Sequence, residues 1–170
     1  MRRNPDRRVH YFLASYFDER DRRALAGLAS NAPAIRWVEP RRLHMTWVFL
    51  GRADELDLEA GRALAAQWRR AVPATVRVDR LAGFPSNDQA RVIVACVESD
   101  GWLEGLIRDA VPDVEVDRPL RPHVTLGYVR QGEVSVDDVF GALTVAPPLD
   151  IALADVGLYS SNAGVHTRIA

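Results

Sequence analysis

Residues Leu43–Gly51 read LHMTWVFLG. The run is apolar and β-compatible, and Gly51 closes it, so it reads as a strand. Side chains alternate faces along a strand with a period of two. His44 and Thr46 therefore share one face, and Met45, Trp47 and Phe49 point the other way into a packed layer. The pattern returns in Pro122–Val129, PHVTLGYV. There His123 and Thr125 share a face, with Val124 and Leu126 opposite. For one such strand, a hydrogen-bonded histidine at the core edge and a threonine chosen for β-propensity is a sufficient account. It weakens for two, because the chain holds only four histidines and five threonines.

Three chemistries use imidazoles in this way. Histidine is a common metal ligand, but no H-E-x-x-H or clustered carboxylate–histidine spacing accompanies either motif, so the expectation is no metal and no cofactor. Nucleophilic catalysis by a serine triad lacks a G-x-S-x-G elbow. Concerted acid–base work fits best. Histidine titrates near neutral pH, so one ring can accept a proton from water while its partner protonates a leaving oxygen. The threonine hydroxyls can donate to phosphoryl oxygens where charge accumulates. Such a set cleaves a phosphodiester without a metal.

The 170 residues suit one domain with a sizeable core. Hydrophobic residues make up 48% and charged residues 26%, as in a soluble globular protein. The basic segment 1–8 is expected to be flexible, and 9–170 to form a single domain with two lobes. No stretch approaches a membrane span, and no apolar region follows the basic N-terminus as in a signal peptide. Cys96, the only cysteine, sits in an apolar run and reads as a buried small hydrophobe. A cytoplasmic protein without a membrane or obligatory protein partner, acting as a monomer, is expected. The net charge of −1 gives no global field to attract nucleic acid. Any RNA contact must come from local arginines: Arg36, Arg41 and Arg42 before the first motif, and Arg118, Arg121 and Arg130 around the second. Each of these also reads as an ordinary solvated charge.

Along the chain, VHYFLASYF is a strand and DERDRRALAGLAS a helix capped by Asp18. IRWVEP is a short extended piece. A helix spans Glu55–Ala71, with Leu56, Ala60, Leu64 and Trp68 as its core ridge. TVRVDRLAGF and ARVIVACVE are strands joined by PSNDQ, and a short helix lies near Gly101–Ala110. The connection VPDVEVDRPLRP leads to the second motif. A weaker helical or loop segment spans Val136–Leu143, and strands near LDIALADVGLY and GVHTRIA end the chain. The order lacks steady βα alternation, which predicts α+β with mainly antiparallel sheets. The two histidine strands occupy similar places in the two halves, which predicts a duplicated, bilobed architecture.

These segments resemble a known family, the 2H phosphoesterases, and within it the RNA 2′,3′-cyclic phosphodiesterases (2′-5′ RNA ligase, LigT-like). IRWVEPRRLHMTWVFLG is similar to the family's first signature, RPHVTLGYV to its second, LAGFPSNDQARVIV to its intervening turn and strand with Arg91, and VGLYSSNAGVHTRIA to its closing hairpin. The resemblance implies two H-x-T strands facing a central cleft with helices outside. It also implies metal-independent opening of RNA or nucleotide 2′,3′-cyclic phosphates to 2′-phosphates, with or without 2′-5′ ligation. The catalytic histidines carry over to His44 and His123, and the phosphate-holding threonines to Thr46 and Thr125. In the family the second histidine is usually the base and the first the acid.

The chain departs from the pattern at three places. Tyr128 stands where the family often has arginine, with Arg130 two residues on as its candidate replacement. Val94 stands where tryptophan is common, and His166 where the closing hairpin often has tyrosine. Phe12 and Trp37 are candidates to line the nucleotide site, since aromatic faces stack on bases. Core packing accounts for either equally well. Tyr159 and Ser161 are weaker candidates, and His10 reads as surface or core. A non-catalytic nucleotide or RNA-end binding module on the same fold is the alternative function.

Overall fold

The computed structural model describes residues 9–52, 57–73, 75–99, 101–102, 105–106, 122–141, 144–153, 156–162 and 165–170. The expected flexible segment 1–8, Leu56, Ala142 and Leu143, Arg118, Arg121, the connection from Val111 to Arg121 and most of the helix expected near Gly101–Ala110 lie outside these. Trp102, Gly105 and Leu106 have helical backbone.

The described strands are β1 (His10–Tyr16), β2 (Ile35–Trp37), β3 (His44–Arg52), β4 (Thr75–Phe84), β5 (Val92–Val97), β6 (His123–Val129), β7 (Thr144–Ala152), β8 (Val156–Asn162) and β9 (Val165–Arg168). The helices are α1 (Glu19–Ala26), α2 (Leu58–Ala71) and α3 (Val136–Phe140). The pairs among these strands are antiparallel, in the order β7-β4-β5-β6-β3-β1-β8-β9, with β2 on β6. The α+β, mainly antiparallel architecture read from the sequence is the one observed. The two halves join in one sheet path, and the strands that join them are the two histidine strands, β3 and β6.

One face of this sheet carries the main core. Leu13, Met45, Trp47, Ile93, Ala95, Val124 and Leu126 are buried there with Leu25 of α1 and Trp68 of α2. Asp18 caps α1 by accepting from the Asp21 amide. Buried Asp21 in turn accepts from the Ala152 amide at 2.7 Å, tying the helix to the end of β7. The buried row of α2 is Gly61, Ala65 and Trp68, while Ala60 is exposed and Leu64 half-buried. Of the expected ridge, Trp68 is fully buried and Leu64 packs against the core, while Gly61 takes the buried place expected of Ala60. Small residues at 61 and 65 let the helix lie close to β8, where Arg69 donates to the Val156 carbonyl at 2.7 Å.

The strand expected near LDIALADVGLY is two strands, β7 and β8. Pro147 and Pro148 hid the start of β7, because proline cannot donate to a ladder. Among the described residues β7 is an edge strand that pairs with β4, and an edge tolerates proline. The register slips between Val78 and Arg80, where the prolines fall.

Candidate active site

The central pair is short. β3 meets β6 at Met45 and Val124, and both side chains are fully buried on the core face. The residues that flank them, His44 and Thr46, His123 and Thr125, therefore lie together on the opposite face. Extending the register one residue each way sets His44 opposite Thr125, and Thr46 opposite His123. The histidines occupy one diagonal of a rectangle and the threonines the other. Diagonal neighbours in an antiparallel pair stand about 7–8 Å apart. That span accommodates one phosphate between two imidazoles, with both hydroxyls at its sides. All four side chains are half-buried. Among the described residues, neither threonine hydroxyl forms a hydrogen bond.

Bulges decide what else reaches this face. In β3, Leu13 pairs with Val48 but Ala14 with Thr46, so Trp47 is an extra residue. Trp47 and Val48 are both buried in the core, and Trp47 Nε1 donates to the buried Ser15 hydroxyl at 2.9 Å. The parity is reversed beyond that point. Phe49, expected in the packed layer, instead pairs with Phe12 and is 71% exposed on the site face. A second bulge lies in β6, where Val94 pairs with Thr125 but Ile93 with Gly127, leaving Leu126 extra. It turns Tyr128, which plain alternation assigns to the other face, to the side of Thr125. Tyr128 is exposed there under the Arg36 guanidinium, 5.3 Å from its ring centre. Arg130 follows the end of the strand, and its Nε donates to the Pro33 carbonyl at 3.2 Å.

Two candidates, Trp37 and Phe12, pack against other aromatic groups. Trp37 pairs with Gly127 and packs on the core side against Phe140, lining an apolar groove with Leu25, Leu43 and Leu126. A Cβ on Gly127 would come within 2.9 Å of its ring, so this glycine admits it. Trp37 is a packing residue and does not share the H-x-T face. Phe12 does share that face but is only 2% exposed, so it offers no open surface for a base. It packs against Tyr159, Phe49, His44 and His166. Val94, also on this face, is fully buried.

The surroundings of the two histidines differ. His123 meets the edge of Phe84 at 4.9 Å, and Cys96 is its register partner on β5. Cys96 is buried, as expected. His44 is ringed by aromatic groups. Tyr16 stacks on it at 5.1 Å and 23°, and His166 meets it edge-on at 4.9 Å and 87°. Its Nδ1 lies 2.8 Å from the Arg42 carbonyl. A carbonyl only accepts, so Nδ1 carries the hydrogen and the neutral ring keeps its lone pair on Nε2. Tyr16 and His166 were not among the candidates; their signal in the sequence was the shared parity of Phe12, Ala14 and Tyr16, and the histidine in the closing hairpin. Tyr159, a weaker candidate, is buried beneath them, and Ser161 pairs with His166. His10 is exposed. Among the described residues, no group of three or more His, Cys, Asp or Glu is placed to hold a metal ion.

A family model described as LigT like Phosphoesterase matches residues 18–94. An RNA 2′,3′-cyclic phosphodiesterase of Thermus thermophilus is 32% identical over 133 residues, 69% of this chain and 67% of that one. The chain belongs to the LigT-like phosphoesterases. An RNA 2′,3′-cyclic phosphodiesterase of Bacillus subtilis (strain 168) is 28% identical over 140 residues, 76% of each chain. Among solved structures, TT0787 of Thermus thermophilus superposes with a TM-score of 0.64 at 24% identity, over 95% of both chains. E. coli LigT complexed with 3′-AMP gives 0.61 at 21% identity, also over 95% of both. At these identities the structures attest the fold.

In this LigT-like phosphoesterase, burial pushes the His44 imidazole down to about 4. The Arg42 carbonyl opposes the shift, and positive charge on His166, Arg42 and His123 adds to it. His166 is lowered as well, by burial and then by Arg42. Burial, with Tyr159 beside it, raises the Tyr16 phenol to about 12. A stability prediction follows from His44. The unfolded chain takes up a proton near pH 6.5 that the folded ring refuses until about pH 4, so the unfolded state binds more protons between these values. Above pH 6.5 the ring is neutral in both states and costs nothing, and as pH falls to about 4 the folded state loses stability, by about 3 kcal/mol at most. Chemical denaturation across this window should show a shallower pH slope for His44→Gln than for the wild type. Equal slopes would place the His44 pKa at an ordinary value.

Proposed function

We propose that this LigT-like phosphoesterase opens 2′,3′-cyclic phosphates at RNA ends or on small nucleotides to 2′-phosphates, using His44 and His123 as an acid–base pair and no metal. The observation that carries this is the pairing of β3 with β6 at Met45 and Val124, which puts two imidazoles on one face with two hydroxyls that form no hydrogen bond among the described residues. The names of the Thermus and Bacillus relatives, and the 3′-AMP and ATP complexes of E. coli LigT, support a nucleotide phosphate as the ligand.

The phosphate lies over the rectangle, its non-bridging oxygens taking hydrogen bonds from Thr46 and Thr125. One histidine removes a proton from water as the water oxygen bonds to phosphorus. The other gives a proton to the 3′ oxygen as its bond to phosphorus breaks. The family's usual division makes His123 the base and His44 the acid. His44 is neutral in the free site, so as an acid it must take up a proton together with the substrate. The phosphodiester's own negative charge favours that uptake. A 5′-hydroxyl in place of water gives a 2′-5′ linkage by the same steps. Phe49 and Tyr128 are, among the described residues, the large aromatic side chains exposed on this face and open to a base, with the Arg36 guanidinium over the Tyr128 ring. Among the described residues no helix is long and apolar enough to cross a membrane. The protein acts in this reading as a cytoplasmic monomer.

Purified protein incubated with nucleoside 2′,3′-cyclic monophosphates in EDTA should turn over and leave a 2′-phosphate with a free 3′-hydroxyl. Loss of turnover in chelator, restored by one particular metal, overturns the acid–base reading. A 3′-phosphate product means that the substrate binds in the opposite orientation.

A further inference from the structure

His166 stands on β9, and His44 on β3. In the sheet order, β1 and β8 lie between them. Three strand spacings in a flat sheet separate residues by about 14 Å. The two ring centres are 4.9 Å apart. The β8–β9 hairpin is therefore curled back over β1, and this fold-back brings a third imidazole to the site. It also covers Phe12, whose ring lies 4.9 Å from that of His166. The Tyr16 hydroxyl lies 2.9 Å from His166 Nδ1, while the Tyr16 ring stacks on His44. His44 is thus held on three sides: its Nδ1 by the Arg42 carbonyl, one face by Tyr16, and one side by the His166 ring that Tyr16 anchors.

We propose that His166 is a positioning residue for the cleavage reaction, acting with Tyr16 to fix the His44 ring and the protonation state in which it works. The proposal rests on the reading that His44 takes part in turnover. Two imidazoles in edge contact do not readily carry a charge each, so a proton on one disfavours a proton on the other. After burial, the charge of His166 is among the causes that lower His44. Among the described residues, the other titratable or charged groups on this face of the elements around the pair are Tyr16 and His10 on β1, Arg42 before β3, His123 and Tyr128 on β6, Tyr159 on β8 and Arg168 on β9. Of these, Tyr16 bridges the pair, with its hydroxyl on one ring and its face on the other.

The test follows the His44 ring by NMR through a pH titration, together with kcat/KM for 2′,3′-cyclic AMP across the same range. His166→Phe keeps an aromatic ring and removes the charge. It should move the His44 midpoint upward by about half a unit to one unit. One limb of the rate profile should move with it and the other should stay. Tyr16→Phe, which keeps the stacked ring but frees His166, should shift the midpoint in the same direction by less and lower kcat. Because β9 pairs with β8 at the edge of the described sheet, His166→Phe is expected to fold, and Tyr16→Phe tests the coupling independently. A His44 midpoint unchanged in both folded variants overturns the proposal, as does a fall in rate with neither limb displaced. A midpoint that moves while His44→Ala retains full turnover overturns the catalytic reading, and with it the positioning role, and leaves only the contact between the two rings.

Discussion

His44→Ala and His123→Ala should each lower kcat/KM for a nucleoside 2′,3′-cyclic phosphate by about 10²–10⁴-fold, the usual worth of a positioned acid or base. In transition-state terms this is about 3–5 kcal/mol. Both side chains lie on the sheet face opposite the main core and are half-buried, so neither truncation removes a member of that core. Circular dichroism and a cooperative melt should therefore stay close to the wild type. If the two rings act in one concerted step, the double variant should be little worse than the poorer single one, because the second group has nothing left to complete. Near-normal turnover by both folded single variants ends the enzyme reading and leaves a nucleotide-binding module on the same fold.

The pH profile sharpens this expectation. Two ordinary histidines predict a bell with both limbs near neutrality. The ring of aromatic groups around His44 alters that for the free enzyme, which kcat/KM reports. The limb belonging to His44 belongs near pH 4, where burial has placed it. The kcat profile reports the complex, where phosphate charge draws the same group back toward neutrality. A His44 limb that lies higher in kcat than in kcat/KM is the expected sign of proton uptake on binding.

Much of this site was legible in the chain because strand parity is a local rule. His44 beside Thr46, and His123 beside Thr125, needed only the period of two. That the strands adjoin, with the four groups on crossed diagonals, depends on the register of Met45 with Val124. No local pattern encodes that long-range pairing. Parity also failed wherever a bulge inserted a residue. Trp47 and Leu126 each shift the count by one, turning Phe49 and Tyr128 toward the site. Trp37 and Phe12 were ambiguous for another reason: an aromatic side chain serves a core and a ligand wall equally well, and only burial separates the two. His166 was the least accessible, since its contact with His44 requires a hairpin to curl across two strands.

Thr46→Val and Thr125→Val should each reduce the rate by about 10²–10³-fold, the range for loss of one oxyanion donor. Valine nearly matches the shape of threonine and suits a strand, so the substitution removes a hydroxyl with little disturbance to the backbone. Neither hydroxyl is engaged among the described residues, so no internal partner is orphaned. The kinetic split identifies when each hydroxyl acts. If it binds the phosphate equally in ground and transition states, KM rises and kcat holds. If it meets charge that builds on the non-bridging oxygens as water attacks, kcat falls, and this is the expected result. Thr46→Ser and Thr125→Ser restore the donor without the methyl group and should recover most of the loss. The register also makes the threonines a pair, Thr46 alongside His123 and Thr125 alongside His44, so their losses should be similar in size. Full activity in both valine variants means that the phosphoryl oxygens are held by other groups and that the rectangle on β3 and β6 is not where the phosphate sits.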